Sequence, residues 1–155
     1  MISAWRIVKA RHAATAFNGE GARLAGGRWH SVGLPAVYTA GSAALAALEM
    51  LVHLGRGGAL PAYVLVKCTF DPALVVTLDR AHLGDAWRAY PAPARLQQIG
   101  DAWLRSGVSA VLEVPSAVIP SESNYLLNPR HASFASLAMS AAEPFEFDLR
   151  LLQVQ

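Results

Sequence analysis

The sequence predicts a mixed α+β fold, and three observations carry that expectation. Short runs rich in Val, Leu, Ile and Tyr recur from one end of the chain to the other, each bounded by Gly, Pro, Asn or Asp. Only two segments carry a helical apolar period, "SAALAALEMLVHL" from Ser42 and residues 93–106. The two do not alternate regularly with the strands, which argues against a doubly wound parallel sheet.

Taken in order, residues 4–8 form a first strand. A loop rich in Gly, Asn and small residues then runs to Gly27. "PAVYT", residues 35–39, is a second strand. Ser42 is a good cap for a helix that continues to about Leu54 and stops at Gly55, Gly57 and Gly58. "AYVLVKCTF" and "ALVVTLD" are strands parted by Asp71-Pro72. The helix at 93–106 sets Leu96, Ile99, Trp103 and Leu104 on one side. "SAVLEVP" and "PFEFDLRLLQV" are extended, and "SNYLLNPRH" combines a short strand with a turn at Asn128-Pro129.

With 155 residues, 54% of them hydrophobic and 15% charged, the chain has material for one core, and one domain over 1–155 is expected. Disorder is excluded by the same figures. The net charge of +2 is too small, and too scattered, for a nucleic-acid-binding face. Basic residues are arginine almost throughout, with Lys9 and Lys67 as the exceptions; arginine suits bidentate capture of phosphate or carboxylate. The single cysteine, Cys68, rules out an intrachain disulfide and a cysteine metal cage, and fits a reducing cytoplasm. Arg6, Lys9 and Arg11 interrupt the start where a secretion signal needs an apolar run. The most apolar stretch contains Glu49 and His53 and falls short of the ~20 residues that cross a bilayer, so no membrane role is expected.

Familiar motifs are missing. "GEGARL" from Gly19 ends in Leu24 where a dinucleotide-binding fingerprint needs its last glycine, and no strand precedes it. The five histidines show no ligand spacing, so no metal is expected.

Three places remain. Helical spacing puts Glu49 on the side of Leu45, Leu48 and Val52, a carboxylate set into an apolar stripe. Burying it unpaired would cost many kcal/mol, so it needs a cation, several donors or the rim of a cavity. An ion pair with Arg28 or Arg6 would satisfy that need without any function. In "GGRWHSVGLPAVYTAG", two glycines lead into Arg28, whose forked donors suit a phosphate, while Trp29 and Tyr38 offer flat faces. The plain alternative is a hairpin with Trp29 on the core. Third, Ser116 follows Pro115 at the end of an apolar strand, where it is either a turn former or a fixed hydroxyl.

Together "AWRI", "GGRWHSVGLPAVYTAGSAALAALEML", "VPSAV" and "NYLLNPRH…FEFDLRL" resemble the RES-domain family over essentially the whole chain. That family is named for an Arg, a Glu and a Ser, which fall on Arg28, Glu49 and Ser116. The resemblance implies a fold like that of diphtheria-toxin-like ADP-ribosyltransferases. It also implies a toxin of a bacterial toxin–antitoxin pair that attacks NAD, and an Xre-type helix-turn-helix antitoxin as partner; whether the chain also forms a homodimer is left open. In the implied site Arg28 holds a phosphate of NAD and Tyr38 stacks on the nicotinamide or its ribose. Glu49 faces that ribose, and Ser116 orients it or the carboxamide. Arg6 is a secondary phosphate contact, followed by Asn128 and His131.

Nicotinamide leaves as a neutral base and needs no proton, so one carboxylate beside the developing oxocarbenium centre suffices. Water as acceptor would make the chain an NAD glycohydrolase, and phosphate a phosphorylase. A protein side chain would make it an ADP-ribosyltransferase, which the Ala47 two residues before Glu49 disfavours, since it leaves no paired carboxylate there. An inactive module that only seats the antitoxin is the reading from a different class.

Overall fold

The computed structural model describes residues 1–54 and 60–152. Eight strands form one sheet: β1 (Ile2–Lys9), β2 (Val37–Ala40), β3 (Tyr63–Phe70), β4 (Val75–Thr77), β5 (Val111–Pro115), β6 (Ser123–Leu127), β7 (Ala138–Met139) and β8 (Glu143–Phe145). Their spatial order is β4-β5-β6-β2-β1-β3-β7, and β8 also pairs with β3. The β4–β5 pair is parallel and the others are antiparallel. The helices are α1 (Glu20–Ala25), α2 (Ala43–Leu51) and α3 (Ala94–Ser106).

Register assigns the residues to faces, because partners across a ladder share a face and neighbours along a strand alternate. Tyr38 lies beside Leu126 and Leu126 beside Leu112; Ala40 lies beside Asn124, Asn124 beside Val114, and Trp5 beside Ala40. This face is covered by both long helices. Leu112, Val114 and Leu126 pack with Leu96, Trp103 and Leu104 of α3, while Ile7 and Ala40 pack with Leu45 and Ala46 of α2. The opposite face carries Ala4, Val37, Cys68, Phe70, Val111 and Leu127. Burial pushes the Cys68 thiol up to about 12, which leaves it a buried, unreactive filler.

The sequence places most of these elements within a residue or two; it does not anticipate the two-residue β7, and it departs from the structure in four further places. The stretch to Gly27 is not all loop: a 3₁₀ turn spans Ala10–Thr15, and α1 starts where the Asn18 side chain accepts from the Glu20 N–H at 2.9 Å. The strand expected over 73–79 shrinks to β4, because Asp71 caps a 3₁₀ turn over Pro72–Leu74. The tail extends only through β8 and then turns into a 3₁₀ helix at Leu149–Leu152, with Val154 outside the described residues. Helix α2 is capped as expected, Ser42 Oγ accepting from the Leu45 N–H at 3.0 Å, but it ends at Leu51; the glycines expected to stop it lie outside the described residues.

Candidate functional site

The turn that carries Arg28 is built from both sides. Gly27 N–H donates to the His30 carbonyl at 3.0 Å, which leaves Arg28 and Trp29 at the tip. Trp29 is 2% exposed and packs on α3, as in the plain alternative of a turn with Trp29 on the core. One face of α3 then pins the turn. Gln97 Nε2 donates to the Gly27 carbonyl at 3.0 Å. Asp101 accepts from the Ser31 N–H at 2.8 Å and from its hydroxyl at 2.6 Å. Between them Gly100 meets the Trp29 carbonyl so closely that any Cβ would collide. These positions are three and four residues apart, hence on one side of the helix.

From below, Tyr38 holds the same turn. His30 has no exposure, and its Nε2 lies 2.9 Å from the Ala22 carbonyl, which can only accept. The proton therefore sits on Nε2, leaving Nδ1 to accept from the Tyr38 hydroxyl at 2.6 Å. The Tyr38 oxygen in turn accepts from the Trp29 N–H at 3.2 Å. Burial raises the Tyr38 pKa well above the ordinary phenol value, so the hydroxyl keeps its proton. A Cβ on Gly27 would strike the Tyr38 hydroxyl, so this glycine makes room for Tyr38 and not, as its sequence context suggests, for a ligand.

Arg28 reaches out from that frame. Its Nη1 donates to the carbonyls of Trp87 and Ala89 at 2.9 and 3.0 Å, while its Nε and Nη2 make no hydrogen bond among the described residues. Burial lowers the Arg28 pKa, and the negative charge of Glu49 acts against that shift. The Glu49 carboxylate is thus near enough to be felt, although no ion pair joins it to Arg28 or Arg6.

Glu49 is held by neutral donors. Ser116 Oγ donates to Oε1 at 2.6 Å and Asn124 Nδ2 donates to the same oxygen at 2.8 Å. Oε2 has no hydrogen-bond partner among the described residues. Helix α2 delivers the carboxylate because the chain just before its cap is tied to the sheet: Gly41 N–H donates to the Ser123 carbonyl at 3.0 Å, one residue from Asn124. The apolar stripe expected around Glu49 is only partly real, since Leu45 is buried but Val52 is 58% exposed. The core side of α2 runs through Ala46 and Met50, and Glu49 stands at its margin. That position gives the carboxylate support from the sheet and an outlet.

Three of the expected site residues have their polar groups engaged inside the protein. Ser116 has no exposure to solvent, and its hydroxyl is fully used: it donates to Glu49 and accepts from the N–H groups of Val118 and Ile119 at 3.1 and 3.0 Å. It positions Glu49 and has nothing left to orient a ribose or carboxamide. Arg6 alternates with Trp5, so it lies on the other face of the sheet from Glu49, donating to the carbonyls of Ala16 and Tyr38 at 2.8 and 3.0 Å. Burial lowers its pKa to about 10. Asn128 is four residues along β6 from Asn124, about 13 Å at strand rise. It is 3% exposed, with its amide on the Leu104 carbonyl and the Arg130 N–H, and it lines a separate cleft with Arg105, Arg130 and His131.

Sequence reasoning passes over Asn124 as a turn residue. The signal was its place two before Leu126 on an alternating strand, which aims a polar side chain at the helix-covered face. The segment at Trp87–Ala89 carried no signal, since its part in the site is played by backbone carbonyls. A cleft of about 440 Å³ lies on the Arg6 face among Ala16, Phe17, Val66 and Met139, and no carboxylate lines it. Among the described residues no group of three His, Cys, Asp or Glu could hold a metal, and no helix is long and apolar enough to cross a membrane.

Known proteins resemble this chain over nearly its whole length. The model of the RES domain matches residues 3–148. "Toxin Res" of Yersinia enterocolitica is 41% identical over 149 residues, which is 95% of this chain and 97% of that protein. A protein of Sphingobium sp. named "Prs ADP-ribosylating toxin" is 35% identical over 156 residues, 97% of each. Among solved structures, a chain of the M. tuberculosis MbcT–MbcA toxin–antitoxin complex superposes with a TM-score of 0.69 over 93% of this chain and 84% of that one, at 22% identity. That likeness establishes the α+β fold.

Proposed function

This chain belongs to the RES-domain family, and on that premise we propose that it is the toxin of a toxin–antitoxin pair which depletes NAD by cleaving the nicotinamide–ribose bond. The observation that carries the reading is the Glu49 carboxylate, gripped at one oxygen by Ser116 and Asn124 and left with its other oxygen unpaired, near an arginine whose Nε–Nη2 edge is open.

In the proposed reaction that arginine edge takes the pyrophosphate as a two-pronged contact. The bond between C1′ of the ribose and the pyridinium nitrogen breaks, and its electron pair leaves on nicotinamide, which becomes neutral. Positive charge grows on C1′ and the ring oxygen. Glu49 Oε2 stabilises it from a position fixed in advance, which costs no reorganisation during the reaction. Water or phosphate then bonds to C1′ on the open side and releases its proton to solvent, completing ADP-ribose or its 1-phosphate. Tyr38 serves by holding the Arg28 turn, and any contact of its ring with the nicotinamide is secondary.

A relative named as an ADP-ribosylating toxin favours a second reading, in which a side chain of a host protein is the acceptor. One experiment separates the outcomes. The purified chain is given NAD with and without phosphate and with cell extract, and the products are separated by mass. Free nicotinamide with ADP-ribose or its 1-phosphate supports NAD depletion; ADP-ribose on one protein supports modification. No nicotinamide under any condition leaves an inactive binding module. The partner is proposed to be an Xre-type helix-turn-helix antitoxin, and co-purification from a strain expressing both tests it.

A further inference from the structure

Residues 84–92, between the 3₁₀ turn at Arg80–His82 and α3, have no role in the core strands, yet three arginines tie this part of the chain down. Arg28 donates to the carbonyls of Trp87 and Ala89. Arg88 Nε donates to the Ala117 carbonyl at 2.9 Å, next to Ser116, and Arg80 Nη2 to that of Pro120 at 2.7 Å. The segment is thus fastened at both ends of the proposed site, on the phosphate-facing arginine and on the loop that follows Ser116. A stretch of chain fastened at both ends in this way can serve as a wall, and its next side chain is Tyr90.

Tyr90 is 84% exposed. Every other Phe, Tyr and Trp of the chain is buried or part-buried, so one aromatic ring alone stands in solvent, one residue beyond a carbonyl bonded to Arg28. Tyr38 makes the contrast: its hydroxyl is committed to His30 and Trp29 and its ring is fixed beneath the turn. An exposed ring held beside a phosphate-binding guanidinium suits a base that needs binding and no chemistry. The Glu49 carboxylate is backed by the buried Ser116, and on the proposed reading the reacting pyridinium lies at this end of the site. The phosphates at Arg28 come next, and the adenine is left for the open side.

We infer that the segment through Trp87–Tyr90 forms the outer wall of the dinucleotide site and that Tyr90 stacks on the adenine. The inference rests on the proposed NAD-cleaving reading. It assigns Tyr90 to binding and not to the chemical step, so its loss should appear in KM and leave kcat in place.

The test compares Tyr90→Ala and Tyr90→Trp with the parent, on NAD and on nicotinamide mononucleotide, which has the same scissile bond and no adenine. Stacking on an aromatic ring is worth enough per base that Tyr90→Ala should raise KM for NAD about tenfold, with kcat within twofold and the melting temperature unchanged. Tyr90→Trp should restore KM, and turnover of the mononucleotide should be the same in all three. An unchanged KM for NAD overturns the inference, and so does an equal loss on both substrates, which would put the ring on the nicotinamide. Calorimetric titration with ADP-ribose separates this from failure of the reaction itself. A parent that binds ADP-ribose through Tyr90 but releases no nicotinamide sinks the cleavage reading alone. A parent that cleaves NAD while Tyr90→Ala binds ADP-ribose equally well sinks the stacking face alone.

Discussion

The Ser116 hydroxyl, sealed from solvent, donates to Glu49 Oε1 at 2.6 Å, so two residues far apart in sequence act as one group. The serine fixes where the carboxylate points, and Asn124 repeats the restraint from the neighbouring strand. Because neither donor is charged, the negative charge of Glu49 is held in place without being neutralised. A carboxylate arranged in this way is available to a cation that forms during a reaction.

Glu49→Gln should fold and melt near the parent. The amide oxygen can accept from Ser116 and Asn124 as Oε1 does, and no ion pair is lost, since Glu49 makes none with Arg28 or Arg6. Nicotinamide release should fall by roughly 10²–10³, the size of loss seen when one electrostatic stabiliser is removed. Rate assays paired with thermal melts check both halves. A variant that melts far lower while its folded fraction still cleaves NAD would show that Glu49 serves the fold.

Ser116→Ala takes a donor from Glu49 and strips the partner from the N–H groups of Val118 and Ile119. Each buried unsatisfied group costs ~1–3 kcal/mol, so a clear drop in denaturant midpoint is expected. Activity should fall in kcat, with KM for NAD little moved, because the Ser116 hydroxyl is committed to Glu49 and to its own loop. A rise in KM at constant kcat would return Ser116 to direct contact with the substrate.

Arg28→Lys keeps the charge and loses the fork. One ammonium cannot reach both carbonyls at Trp87 and Ala89 and also present two donors to a phosphate. Hydrogen bonds to charged groups are worth ~1.5–3 kcal/mol, so KM for NAD should rise tenfold to a hundredfold. Steady-state kinetics decide it, and parental behaviour would mean that Arg28 acts as a point charge.

Arg6→Met tests the sheet as a partition. The carbonyls of Ala16 and Tyr38 lose their donors, and stability should fall by ~1–3 kcal/mol. The KM for NAD of the folded protein should stay within about twofold of the parent, since Arg6 lies on the opposite face from Glu49. A tenfold rise would revive Arg6 as a phosphate contact.

The sequence by itself determined most of the strands and the two long helices, and it singled out Arg28, Glu49 and Ser116 before any contact was known. Alternation and helical period record which side chains are buried, and burial is what selects them. Ser42 announced its helix because a cap is a local hydrogen bond, made within one turn. What only the tertiary structure decided is the role of each residue, for roles here depend on contacts between distant segments. Nothing local says that Tyr38 spends its hydroxyl on His30 and Trp29, that Arg6 faces away from Glu49, or that Ser116 is saturated by its own loop. The partners of Arg28 were the least legible of all. They are the backbone carbonyls of Trp87 and Ala89, and every residue type supplies the same carbonyl, so only the path of the chain could bring these two to the arginine.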